Sequence, residues 1–121
     1  MEDKLNILLM LIMIIILYTF KNREKMAKFY NTKGEVTEVN IGEVGTQERG
    51  NKIKELIDGY FEIIPLKNGK SFFINDNGMN RNLPVNEKAT MQFQTHAYNK
   101  AICYEGLIFG NVVEVDTEEI N

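Results

Sequence analysis

Between Lys4 and Lys21 the chain carries sixteen residues, Leu5 to Phe20, without a charge. Asn6, Tyr18 and Thr19 are the only ones with polar groups, and Leu, Ile, Met and Phe supply the rest. A helix apolar on every side has no face to offer water. The stretch therefore belongs in a bilayer, in a protein core, or in a signal peptide that is removed. Sixteen residues rise about 24 Å, against a hydrocarbon layer about 30 Å thick. Snorkelling of Lys4 and Lys21 recovers part of the shortfall, and Tyr18 and Phe20 suit an interface. A secretory signal wants a basic start and a small-x-small cleavage site. Here the start is Met1-Glu2-Asp3-Lys4 and the exit is Tyr18-Thr19-Phe20-Lys21-Asn22. About ninety further residues are few for enclosing such a helix completely. These arguments predict a single membrane-spanning helix, with the lipid bilayer as the partner of residues 5–20.

The flanks set an orientation. Lys21, Arg23, Lys25 and Lys28 follow the run with one acid, Glu24, among them. By the positive-inside rule this basic side stays cytoplasmic, and the cluster would rest on anionic lipid. The expectation is a single-pass protein of the cell membrane, with residues 1–30 as anchor and basic extension and residues 31–121 as a cytoplasmic domain.

Charge divides the same way. Residues 1–30 carry five basic and three acidic groups, and residues 31–121 carry nine and fourteen. A domain at −5 lacks the basic footprint of a nucleic-acid binder. The single cysteine, Cys103, forms no internal disulfide and fits a reducing compartment.

Residues 21–31 read as a helical extension stopped at Gly34. Glu35 to Ile41 is rich in β-branched residues and predicts a strand. Thr46-Gln47-Glu48-Arg49 has the character of a helix start, with Ile53, Leu56 and Ile57 on one face. Tyr60–Leu66 and Ser71–Asn75 flank Asn68-Gly69, a strong hairpin signal. Pro65 places that pair at an edge or a bulge. Asn86 caps a short helix reaching Phe93. Leu107–Val115 supplies the closing strand or strands, and Asp116–Asn121 an acidic tail, frayed and solvated. The order after the anchor is β-α-β-β-α-β, an α+β domain on a small, mostly antiparallel sheet with two short helices.

Tyr60-Phe61-Glu62-Ile63-Ile64-Pro65-Leu66, Asn75-Asp76-Asn77-Gly78, Asn82 to Thr90 and Ile108-Phe109-Gly110-Asn111-Val112-Val113 together resemble domain-of-unknown-function family 3846. The similar part covers about residues 35–115. Family members are small bacterial, phage and plasmid proteins. The resemblance implies a mobile-element context, brings no activity and no catalytic residues, and does not extend to the apolar N-terminus.

Catalytic chemistry is hard to assemble from these residues. His96 and Cys103 are the only imidazole and thiol, and Cys103 between Ile102 and Tyr104 reads as a small buried hydrophobe. Counting back from Gly78 as the sixth position of a calcium loop puts Phe73 at the first ligand and Pro84 at the last, so that loop fails. One Cys and one His cannot build the usual zinc site. Gly45 to Lys52 shadows a phosphate loop, but Asn51 separates Gly50 from Lys52 and Ile53 stands where a hydroxyl is required. No catalytic residue, metal or cofactor is therefore assigned. Arg81, Asn82 and Asn86, around the stiff Pro84, form the candidate ligand-binding group, since a guanidinium suits carboxylate or phosphate. The bland alternative is that Arg81 pairs with a local acid while Asn86 caps a helix.

Three functions remain open: a tethered module that binds a protein or small ligand, an enzyme with a dispersed site around Arg81, His96 or Glu105, and a small membrane-acting protein.

Overall fold

Met26-Ala27-Lys28-Phe29-Tyr30 alternates, and the alternation makes a strand. In the computed structural model, which describes residues 2–23 and 26–120, β1 (Met26–Tyr30) turns through Asn31–Glu35 into β2 (Val36–Asn40). Asn31 builds that turn. Its backbone N–H donates to the Glu35 carbonyl at 3.0 Å, and its Oδ1 accepts from the Lys33 and Glu35 amides. The expected helical extension through residues 21–31 is thus corrected from Met26 onward: the turn residue Asn31 and the pleat of residues 26–30 outweigh the helical drift of the preceding run.

Helix α2 (Gln47–Ile57) starts where Thr46 Oγ1 accepts from the Arg49 amide at 3.2 Å, and it ends at Asp58 in the left-handed conformation. Strands β3 (Phe61–Pro65) and β4 (Lys70–Asn75) form the Asn68-Gly69 hairpin. Gly69 sits at φ +79, a conformation that favours glycine there. Helix α3 (Glu87–His96) is capped by Asn86, and β5 (Val112–Asp116) completes the set. The sheet order is β2-β1-β5-β4-β3, antiparallel throughout. The last strand lies in the middle, between the two hairpins, and Pro65 lies on an edge strand, where its missing N–H costs least. The strand added to those expected is β1, and the closing segment contributes one strand, β5.

Helices cover both faces of the sheet. On one, Ile53 and Ile57 of α2 pack on Ala27, Ile41, Phe73, Val113 and Val115. On the other, Ala89 and Phe93 of α3 pack on Tyr30, Ile64, Phe72, Ile74 and Val112. Double coverage explains why Phe72-Phe73-Ile74 and Val112-Val113 are unbroken apolar runs: alternate residues go to opposite cores.

Helix α1 (Glu2–Arg23) is the second correction. Its described apolar side chains, Leu5 to Tyr18, stay 44–67 % exposed rather than packing on the sheet. Among the described residues no helix is long and apolar enough to cross a membrane. The uncharged run of sixteen residues, Leu5 to Phe20, rises about 24 Å, short of the roughly 30 Å hydrocarbon layer. The single-pass span, the cell-membrane localisation and the orientation read from the basic flank are withdrawn with it. Lys28 is no flank residue but a member of the sheet, whereas Lys25 and the side chains of Lys21 and Arg23 lie outside the described residues.

Asn86 ties the layers together. Fully buried, it donates from Nδ2 to the Tyr30 and Gly110 carbonyls, both at 2.9 Å, and accepts from the Ala89 amide at 3.1 Å. Asn75 does the same for α2, donating to the Ile57 and Asp58 carbonyls at 3.1 Å. Replacing Asn86 by Ala strands buried carbonyls and should cost about 2–4 kcal/mol in denaturant unfolding; a loss below about 0.5 kcal/mol would contradict the clamp.

Two buried acids set the alkaline limit. Burial, followed by the Glu114 charge and hydrogen bond, raises the Tyr30 phenol from 10.0 to about 12. Burial, with a smaller push from Glu62, raises the Cys103 thiol from 9.0 to about 11. The folded chain holds both protons longer than the unfolded chain does. This stabilisation is complete below pH 9 and is lost as pH rises through 11 and 12. The melting temperature of Tyr30→Phe/Cys103→Ala should therefore fall less steeply between pH 9 and 12 than that of the parent chain.

Candidate functional site

The face covered by α3 is covered only in part. Lys28, Glu38 and Glu114 stand side by side across β1, β2 and β5, in the registers Lys28↔Glu38 and Lys28↔Glu114. Opposite charges on neighbouring strands of one face attract, so the row alternates acid, base, acid. One step along the sheet, Lys70 of β4 pairs with Asp116 of β5. These five side chains line an open cavity of about 450 Å3, within the size range of small-molecule sites.

Glu114 is the unusual member. It interrupts Val112-Val113-Glu114-Val115, a run otherwise spent on the two cores, and it is only 5 % exposed. Tyr30 Oη donates to Glu114 Oε1 at 3.3 Å. Lys28 makes no ion pair or hydrogen bond among the described residues, and it is exposed. Lys70 is raised above the ordinary lysine range, first by its hydrogen bond to Asp116 and further by the charges of Asp116, Glu114 and Glu119. It stays protonated. The cavity presents three carboxylates, Glu114 the buried one, and two ammonium groups. A floor and wall of both signs can hold a small polar molecule by charge-assisted hydrogen bonds. Among the described residues no group of three or more His, Cys, Asp or Glu side chains could hold a metal ion.

The residues expected to bind a ligand are placed elsewhere. Arg81 donates through Nη2 to Asp58 Oδ2 at 3.0 Å and through Nη1 to the Asp58 carbonyl, fastening residues 76–82 to the end of α2. Asn82 sits at φ 56 in the same turn, exposed. Asn86 lies in the interior with both its donors and its acceptor engaged. None of the three lines the charged cavity. The residues suggested for a dispersed enzyme also lie apart: Arg81 in that turn, His96 at the end of α3, and Glu105 in a left-handed conformation within the turn Tyr104–Gly106. Cys103 is buried, and with its thiol at about 11 it holds little nucleophilic thiolate at neutral pH.

Sequence reasoning placed Lys28 in the basic flank of the apolar run and did not read Glu114 as lining a site. The one signal available for Glu114 was a charge inside a valine run.

The Arg81–Asp58 pair is exposed, and exposed pairs contribute about 0–1 kcal/mol. Arg81→Ala should therefore keep a midpoint of denaturation close to the parent's; a loss above 2 kcal/mol would show that more depends on this fastening. Compared with family models, with curated proteins and with solved structures, the chain has no match in any of the three.

Proposed function

We propose that the α+β domain is a binding module for a small zwitterion, a molecule carrying an amino or guanidino group and a carboxylate. The observation that carries this reading is the buried Glu114 carboxylate beneath an open cavity. Burying a charge is costly unless something pairs with it, and a single phenol hydrogen bond is a modest partner. A ligand ammonium set against Glu114 adds a countercharge in direct contact, beyond the longer-range pull of Lys70 and the cross-strand neighbour Lys28, while its carboxylate reaches Lys28.

Titration of the full chain with free amino acids, followed by thermal shift, tests the proposal. At a hundredfold excess over Kd a ligand stabilises by about 2.7 kcal/mol, which reads as several degrees. The shift should disappear in Glu114→Gln and shrink in Lys28→Met. No shift with any amino acid, or an equal shift in Glu114→Gln, would remove this function.

A further inference from the structure

Arg49, on the opposite face of the sheet, is the least satisfied charged group among the described residues. It is 5 % exposed, and its Nη2 is buried without a hydrogen-bond partner. Nη1 is engaged, with Glu119 Oε1 at 3.3 Å and the Gly42 carbonyl at 3.5 Å. The acidic tail expected to be solvated is therefore docked in part: the turn Thr117–Glu119 brings Glu119 against Arg49, with a capping box between Asp116 and Glu119. A guanidinium carries five donors in a fixed fork, and leaving one of its nitrogens buried and unpaired is unfavourable.

Arg49 also lines a cavity of about 210 Å3 beside the first turn of α2. Ile53, Phe61, Ile63, Phe73 and Ile120 make most of its walls apolar, and Glu119, paired with Arg49, and Thr46 add polar lining. Thr46, Arg49, Gly50 and Ile53 line it at the spacing of one helix face, so the cavity runs along the side of the first turns of α2. Gly50 lines it too, and a Cβ there would meet nothing within 4 Å. No neighbour demands a glycine at this helical position, where it weakens the helix. Its lack of a side chain keeps the cavity open. This is the stretch Gly45–Lys52 that falls short of a phosphate loop in sequence.

We propose that the cavity beside the first turn of α2, with the Arg49 guanidinium at its base, binds a small monocarboxylate with an apolar body. The carboxylate pairs with the Arg49 guanidinium, whose fork is only partly satisfied by Glu119 and Gly42, and the aliphatic or aromatic part lies against Ile53, Phe61 and Phe73. Glu119 already offsets part of the Arg49 charge. The site therefore suits one negative charge rather than a phosphate dianion, and the apolar walls offer nothing to a second anionic oxygen. The cavity is smaller than a drug-sized pocket, which limits the ligand to a short chain or a single ring.

Hexanoate is the probe, with hexanol and inorganic phosphate as comparisons, titrated into the full 15N-labelled chain and followed by the amides of residues 44–53. Hexanoate should saturate these shifts with an affinity at least tenfold above that of hexanol, and phosphate should produce none. Arg49→Met should lower hexanoate affinity tenfold or more. Gly50→Leu keeps Arg49 and fills the cavity, so it should abolish binding while circular dichroism stays unchanged; this variant decides the matter if Arg49→Met does not fold. Absence of saturable hexanoate binding, equal affinity for hexanol, phosphate binding in place of hexanoate, or full binding by Gly50→Leu would each overturn the assignment.

Discussion

A single amide side chain, that of Asn86, fastens the first turn of α3 to the sheet at the junction where β1 and β5 pair. Its three hydrogen bonds reach the end of β1, the segment entering β5 and the first turn of α3. Its own backbone joins the same junction, donating to the Ile108 carbonyl at 2.8 Å. The α3 core lies directly beneath, and the charged row begins where that core ends. Both the apolar cluster around Phe93 and the position of Tyr30 over Glu114 depend on this junction being closed. The hydrogen bonds are buried, so their loss is not made good by water.

From that junction the two faces of the sheet take on different characters. The α3 face is apolar near Tyr30 and Val112, then charged at Lys28, Glu114 and Lys70. The α2 face is apolar nearly throughout, with the Arg49–Glu119 pair at its margin. One strand, β5, serves both: Val113 and Val115 point to α2, and Val112 and Glu114 to α3. A two-residue period decides which cavity each side chain can reach. Moving β5 by one residue would exchange Glu114 for a valine on both counts.

Much of this architecture was legible in the sequence where local chemistry is strong. Asn68-Gly69 marked its hairpin, Thr46 and Asn86 marked their helices, and Pro65 marked an edge. β1 was obscured because the preceding run is strongly helical and Lys28 reads naturally as part of a basic cluster. The apolar run itself suggested a bilayer, but its sixteen residues fall short of the hydrocarbon thickness, and no described helix is long and apolar enough to cross it. The cavity residues were hidden for another reason. Arg49 looked like an ordinary first-turn residue, and Lys28 and Glu114 become neighbours only through a pairing between strands more than eighty positions apart. No local pattern encodes such a pairing.

The strand order has a consequence for how the chain comes together. β5 joins two hairpins that share no hydrogen bonds with each other, and it is the last of these five strands to leave the ribosome. Until residues 112–116 emerge, β1 and β4 each present an unpaired inner edge, and such edges template association between chains. Sealing that gap requires contacts across most of the sequence, a topology that folds slowly. During synthesis the nascent sheet therefore passes through an interval in which its interior borders are open, and premature release or truncation before residue 112 would leave it there.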